Sequence, residues 1–335
     1  MTVALKPLDE QVIVITGASS GIGLATAYRA AEQGARVVLS SRNGDTLAKI
    51  VREIRGKGGE AIHVVADVTQ RKELERVSAA AIKEFGGFDT WVNDAGLGVF
   101  GRIEQVSDAD HRRLFDVNFW GVVYGTQIAA AHLKSKGGAI INLGSIASEA
   151  GLPLQGMYSA SKHAIEGFTD AFRMEMEDAG APISLTLIRP TSIDTPFPRH
   201  AKNYTQGRPT LPQPVYTPED VADAILYAAV NGGRDYYIGG GAKLISVLNK
   251  FVPAAVDWMG AHVLSKQSVK DKPDDRDPEG ALNTAGDDGQ ARGGSDRMSR
   301  PSVYTRATLH PFLTSALMAG VGATAAAVFA FRGRD

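Results

Sequence analysis

The sequence predicts an α/β protein, a doubly wound parallel sheet of about seven strands with helices on both faces, followed by a C-terminal extension. Short β-branched runs alternate with amphipathic or Ala-rich stretches from residue 12 to residue 238. The first run leads straight into a glycine-rich turn that opens a helix. The 335 residues are 44% hydrophobic with a net charge of −1, enough for one large domain with appendages. That balance offers no basic stripe for nucleic acid. The absence of cysteine excludes disulfides and thiol chemistry, and no metal site is expected.

Residues 12–15 (Val-Ile-Val-Ile) read as a buried parallel strand. They run into Thr16-Gly-x3-Gly-x-Gly23, and the stretch 24–33 reads as a helix closed by Gly34. Strand, glycine turn and helix are the setting a dinucleotide site needs. Gly17 allows the tight turn, Gly21 lets the backbone approach a pyrophosphate, and Gly23 permits close packing of helix on strand. Gly17, Ser19, Ser20, Gly21, Ile22 and Gly23 are therefore cofactor candidates. A merely flexible glycine turn is the alternative, and the flanking elements argue against it.

Residues 36–40 form the second strand. An acid near its end holds the ribose 2′-hydroxyl in the dinucleotide pattern. Here Ser41 stands in that place and Arg42 follows. A guanidinium without a carboxylate favours a 2′-phosphate, hence NADP(H) over NAD(H); an ordinary surface arginine is the other reading. A helix over 45–55 ends at the glycines of 56–59, and a third strand over 61–66 delivers Asp67 and Val68. A helix opened by Thr69 or Gln70 runs to Phe85, and a fourth strand over 88–92 ends in Asn93-Asp-Ala-Gly96.

Ser107 caps a long helix that runs to about Lys134, with Asp110 three residues on. Asn118 lies inside it among apolar neighbours. An isolated buried amide costs energy unless bonded, so its bond is structural or functional. A fifth strand over 138–143 delivers Ser145 to its carboxyl end, where ligands bind in open α/β sheets. A cap or turn serine is the equal alternative. The helix over 157–179 carries Tyr158 and Lys162, one turn apart on one face. A phenol titrates near pH ~10, and an ammonium beside it should bring that value down. Alone, the pair occurs by chance on many helices. Residues 183–188 form the sixth strand, and residues 196–218, with six prolines, read as a lid or binding loop. A helix from Pro218 to Val230, capped by Thr217, precedes a last strand over 235–238.

Together, Thr16-Gly-x3-Gly-x-Gly23, Asp67, Asn93-x-Ala-Gly96, Asn118, Ser145 and Tyr158-x3-Lys162 resemble the short-chain dehydrogenases/reductases, in their single-domain branch. The resemblance covers roughly residues 8–240 and implies a Rossmann-type catalytic domain over 1–242. It implies Tyr158 as general acid/base, Lys162 lowering its pKa and bonding the nicotinamide ribose, and Ser145 bonding the substrate oxygen. Asn118 would hold a water that relays protons to Lys162. Asp67 and Val68 would face the adenine, Asn93 the adenosine side, Pro190 the nicotinamide and Thr195 its carboxamide. Two positions depart from the family pattern. Asp94 replaces a second Asn, which bears on packing around the fourth strand, and Thr191 follows Pro190 where Gly is usual, leaving that backbone less free. The helices of 107–134 and 157–179 are those on which relatives pair, so a homodimer or homotetramer is expected.

The remaining chain divides in three. Residues 243–265 read as two short amphipathic helices broken at Pro253 that cover a substrate pocket, a subunit contact or a membrane surface. Residues 266–311 read as a disordered linker, rich in Asp, Gly, Arg, Lys and Pro. Residues 312–331 carry no charge over 20 residues and precede Arg332 and Arg334, the pattern of a C-terminal transmembrane helix; a soluble Ala-rich helix docked on a partner is the alternative. The first residues lack a secretory leader's apolar run, so a cytoplasmic catalytic domain anchored to a membrane by its C-terminus is expected. The expected activity is NADP(H)-dependent interconversion of a ketone or aldehyde and an alcohol on a lipophilic small-molecule substrate. A non-catalytic NADP-binding scaffold or redox sensor at a membrane, and a soluble 3-oxoacyl-type ketoreductase, are the rivals.

Overall fold

The sheet strands are runs of apolar residues because both of their faces are covered. The computed structural model describes residues 3–286, 288–294, 299–310 and 314. In it, β1 (Val12–Thr16) is buried along its whole length. It leads to α1 (Gly21–Glu32), β2 (Arg36–Ser41), α2 (Gly44–Gly56), β3 (Ala61–Val65), α3 (Arg71–Phe85) and β4 (Thr90–Asn93). Then follow α4 (Asp108–Phe115), a π-helical turn (Asp116–Trp120), α5 (Gly121–Leu133), β5 (Gly138–Leu143), α6 (Gly156–Asp178) and β6 (Ile183–Pro190). The domain closes with α7 (Pro218–Asn231) and β7 (Asp235–Ile238). The order across the seven-stranded sheet is β7-β6-β5-β4-β1-β2-β3, with every neighbouring pair parallel. The reversal of strand order beside β1 opens a crevice at the carboxyl ends of β1 and β4.

Successive side chains of β1 serve opposite layers. Ile13 and Ile15 join the cluster under α1, α2 and α7, with Leu24, Leu47, Ile50 and Ile225. Val12 and Val14 join the cluster under α3, α4 and α5, with Leu74, Val77, Leu114 and Leu133. At the sheet edge β3 keeps Ile62 and Val64 half-buried while His63 and Val65 are exposed, as a strand covered on one side should. Ser107 caps α4, its side chain accepting from the Asp110 amide at 3.2 Å, as expected. The expected single helix over 107–134 is interrupted by the π turn, which carries Asn118. Extra residues of this kind inside helices concentrate at functional sites.

The segment 243–265 forms α8 (Gly240–Phe251), α9 (Pro253–Met259) and a further turn (Gly260–Leu264), broken at Pro253 as the sequence indicates. The stretch read as a disordered linker is a different matter. Its β8 (Val269–Pro273) pairs antiparallel with residues Gly207–Pro209. Its α10 (Val303–Leu309) packs on α7, capped by Ser302, whose amide donates to Asp220 Oδ2 at 3.0 Å. Between them Leu282 is fully buried. The stretch holds few apolar residues, but backbone groups of Pro278, Ala281, Gly289, Gln290, Gly293 and Arg300 bond to the catalytic domain, and composition does not record that kind of contact. The expected membrane span 312–331 lies outside the described residues, apart from Thr314. Among the described residues no helix is long and apolar enough to cross a membrane.

Candidate active site

At the carboxyl end of β1, Gly17 (φ +71°) and Gly21 (φ +58°) take left-handed conformations that favour glycine. A Cβ on Gly23 would lie 2.4 Å from the Gly17 carbonyl oxygen. The turn therefore closes only without side chains, and α1 starts at Gly21 with its N-terminus toward the cleft. Gly17, Ser19, Ser20, Gly21, Ile22, Ser41, Arg42, Asp67, Val68 and Thr195 line one cavity of about 170 Å³. Gly23 lies behind them and shapes the turn. These features fit a nicotinamide dinucleotide: a turn closed by glycines, a helix N-terminus and a cation at the end of β2.

Two residues in this half are held by partners the sequence did not indicate. Asp67 accepts from Thr69 and, at 2.7 Å, from Arg113. Burial alone would raise its carboxyl; the bonds from Arg113 and Thr69 outweigh it and leave the pKa below the ordinary value. Arg42 donates to the carbonyls of Ala281 at 2.5 Å and Leu282 at 3.4 Å, both in the C-terminal extension. It is thus no ordinary surface arginine.

Asn93 is the last residue of β4 and is buried. Its side chain points into the core, accepting from Trp91 Nε1 at 2.8 Å and donating to Asn142 Oδ1 at 2.8 Å and Thr126 Oγ1 at 3.1 Å. Asn142 donates onward to Thr169 at 3.0 Å. Period-two alternation places Asn93 inside the layer, and a buried amide takes the partners available there.

The proposed chemical groups meet where the dinucleotide cavity joins a second one. Ser145, Tyr158, Lys162 and Pro190 all line this second cavity, of about 200 Å³. Ser145 is a cap residue that also lines this cavity. Its hydroxyl accepts from the Ala147 amide at 3.1 Å as a cap, and it lies beside the Tyr158 hydroxyl. Burial pushes the Tyr158 phenol up to about 12, against the opposing effect of Ser145. The expected lowering by Lys162 is not what dominates, because enclosure penalises the phenolate more. Lys162 donates to the Leu143 carbonyl at 2.7 Å, with its nitrogen 5.7 Å from the Tyr158 ring centre. Burial brings Lys162 down to about 8, and the Asp94 carboxylate props it up. Asp94 is itself raised to about 7 by burial, opposed by Lys162 and the Gly23 amide. The sequence reading assigned this departure from the family pattern to packing; its charge also reaches the lysine.

Asn118 is fully buried. Its side chain accepts from the Leu97 amide at 2.8 Å and donates to the Leu97 carbonyl at 3.0 Å and Ser161 Oγ at 3.2 Å. It therefore anchors the loop after β4. It also borders Gly96, where an added Cβ would lie 3.5 Å from Asn118 Oδ1 and 3.9 Å from Lys162 Nζ.

The second cavity is largely apolar, walled by Phe100, Leu152, Ile193, Phe197, Ile245 and Leu264. Ile245 belongs to α8 and Leu264 to the turn after α9, so part of the 243–265 segment covers this space. Its other face exposes Phe251 and Trp258. Phe197 packs against Tyr158 with ring centres 5.4 Å apart. Neither Phe197 nor Arg113 carries a sequence signal; both arrive from distant segments. Among the described residues no group of three or more His, Cys, Asp or Glu side chains could hold a metal ion.

Comparison with known proteins agrees with this geometry. The profile of the family described as short chain dehydrogenase matches residues 11–205. An uncharacterized oxidoreductase of Bacillus subtilis, YxnA, is 44% identical over 327 residues, covering 96% of this chain and 92% of that protein. An 11-beta-hydroxysteroid dehydrogenase A of Sesamum indicum is 33% identical over 261 residues, covering 74% of each chain. The X-ray structure of an alcohol dehydrogenase from Thermococcus sibiricus, complexed with 5-hydroxy-NADP, superposes with a TM-score of 0.59 at 28% identity, covering 68% of this chain and 94% of that one. Sheet order, glycine turn and the Ser145, Tyr158 and Lys162 cluster have their explanation in common descent: the chain belongs to the short-chain dehydrogenase/reductase family of oxidoreductases.

Proposed function

We propose that the protein is an NADP(H)-dependent oxidoreductase that interconverts a ketone or aldehyde and an alcohol on a lipophilic substrate. The observation that carries this reading is the meeting of Ser145, Tyr158 and Lys162 at the junction of a glycine-cradled cavity and an apolar one. The nicotinamide cofactor supplies or accepts the hydride. The Ser145 hydroxyl holds the substrate oxygen, and the Tyr158 hydroxyl gives that oxygen its proton in reduction or takes it in oxidation. Burial holds the Tyr158 phenol in its protonated form, the form that can donate to a carbonyl oxygen. Lys162 holds positive charge beside the cofactor ribose, and Asn118 fixes the loop carrying Gly96 next to it.

Arg42 supports NADP(H) over NAD(H), since a guanidinium at the end of β2 matches a 2′-phosphate. Phe100, Phe197, Ile245 and Leu264 support a lipophilic substrate, as does the hydroxysteroid dehydrogenase activity named for one relative. Exposed Trp120 and Met174, on the π turn and α6, support pairing into a homodimer or homotetramer through those helices. The membrane-anchor reading of 312–331 rests on sequence alone; fractionation of the full chain into membrane and supernatant tests it.

The enzymatic reading is tested by following absorbance at 340 nm with NADPH and NADH across hydroxysteroids, ketones and long-chain aldehydes. Tyr158→Phe should abolish turnover and leave NADPH binding within about threefold, because general acid catalysis is worth roughly 10²–10⁴-fold. No turnover by the unaltered chain with any substrate, or full turnover by Tyr158→Phe, would sink the reading.

A further inference from the structure

The C-terminal extension crosses the mouth of the dinucleotide cavity. At one end Arg42 donates to the carbonyls of Ala281 and Leu282, and Arg113 Nε donates to Leu282 at 3.3 Å. The Ala281 amide donates to the His200 carbonyl at 2.8 Å. At the other end the chain is stitched to the glycine turn. The Gly289 amide donates to the Ser19 carbonyl at 2.8 Å, and the Gly21 amide donates to the Gln290 carbonyl at 3.0 Å. Gly293 then donates to the Asp194 carbonyl at 3.2 Å. Between these anchors Ala285, Gly286 and Asp288 line the cavity itself.

Glycine is what lets this segment lie so close. A Cβ on Gly293 would stand 2.2 Å from the Thr195 carbonyl oxygen, and one on Gly280 would stand 2.6 Å from that of His200. The family profile ends at residue 205, so this wall is an addition to the matched catalytic core. The Bacillus relative, aligned over 96% of this chain, extends across it.

We propose that residues 281–286 and 288–294 form a strap that roofs the bound dinucleotide, so that cofactor enters and leaves only when the strap lifts. The proposal rests on the NADP(H) reading above. The cavity that the strap walls on one side holds about 170 Å³, less than the ~300–1,000 Å³ of ordinary ligand pockets, and a strap that shifts would widen it. Arg42 is the joint. A guanidinium has five N–H donors in a fixed fork, and the two carbonyls of the strap engage one part of it. A 2′-phosphate on the remaining donors would fix the same side chain and thereby favour the closed strap. Closure of this kind commonly makes release of product, and not chemistry, the slow step.

The test is amide hydrogen exchange on the unaltered full-length chain, with and without NADPH, alongside a fluorescence titration of NADPH and NADH. The expected result is slower exchange at Gly289, Gly293 and their neighbours once NADPH binds. Faster exchange there would mean that cofactor displaces the strap, and unchanged exchange in the presence of measured binding would mean that it ignores it; either overturns the proposal while leaving the cofactor reading intact. Absence of any dinucleotide binding overturns the cofactor reading, and the strap's role with it. As a second measurement, Gly293→Val should pry the strap from Thr195 and speed NADPH release, followed by stopped-flow displacement with excess NADP, at least tenfold. An unchanged release rate in a variant whose strap amides exchange faster than in the unaltered chain also overturns it.

Discussion

Replacing Arg189 with leucine removes a cation from a cluster that joins four separate segments around the candidate site. Its guanidinium lies 2.8 Å from Glu166 on α6, 2.6 Å from Asp235 on β7 and 3.2 Å from Glu149 in the loop after β5. Only the Glu166 contact has hydrogen-bond geometry, so the other two act through charge. Breaking a buried pair costs about 3–5 kcal/mol, because the stranded charge keeps its desolvation penalty. The exposures decide which end of that range applies. The Glu166 and Asp235 side chains are 28% and 20% accessible and can recover water, and Asp235 keeps Arg234 at 3.0 Å. Glu149, at 8%, is the carboxylate left stranded, although Tyr237 still donates to it. The expected loss is therefore near the lower bound, about 3 kcal/mol, read as a fall in the urea midpoint with an unchanged slope. Adding Glu149→Gln to Arg189→Leu should recover part of the loss. A loss below about 1 kcal/mol, the range of exposed pairs, would refute the reasoning, as would a double variant no more stable than Arg189→Leu alone.

The remaining predictions concern the site. Asp94→Asn removes the carboxylate that props up Lys162, so the limb of the kcat/KM profile governed by that lysine should move to lower pH than its position near 8; movement to higher pH would reverse the sign of the argument. Arg42→Ala should weaken NADPH binding roughly ten- to a hundredfold, the worth of one or two charge-assisted hydrogen bonds, and leave NADH within about threefold. Equal weakening of both would restrict Arg42 to its contacts with the C-terminal extension. Gly23→Ala should abolish binding of either dinucleotide in calorimetry, since its Cβ would meet Gly17 O at 2.4 Å and Asp94 Oδ2 at 2.7 Å; retained affinity would show that the turn can yield.

The parts of the fold visible in the sequence are those written in local pattern. β1 and its glycine turn, the caps Ser107 and Thr217, and the pair Tyr158 and Lys162 depend on residues within one element or its neighbour, and the structure places them as their spacing indicates. What escaped depends on distant encounters. Arg189 meets carboxylates from positions 149, 166 and 235, and no window along the chain contains them together. The described residues of 266–311 carry no structural signature in the sequence because many of their contacts with the domain run through backbone amides and carbonyls, which leave no periodic side-chain pattern. The motif around Asn93 does not say which way its amide points; only the pleat decides that. The Tyr158 phenol was expected to fall because Lys162 was visible in the sequence, while the protein enclosing it was not.

The amide pair of Asn93 and Asn142 has a consequence for how the sheet assembles. Apart from Thr90 the rest of β4 and β5 is apolar, and hydrophobic strands can slide past each other by two residues without turning a side chain out of the core. The observed pairing sets Asn93 opposite Asn142. Sliding by two would set Asn93 against Ile140 and break the bond between the two buried amides, at about 1–3 kcal/mol for the group left unpaired. The bonds thus act as a key that admits one alignment. Asp94 follows Asn93 directly and Ser145 lies three residues beyond Asn142, so a slip would displace one against the other by roughly 6.6 Å. The reach of the Ser145 hydroxyl toward its substrate is thereby set inside the core, by two side chains that never face the cleft.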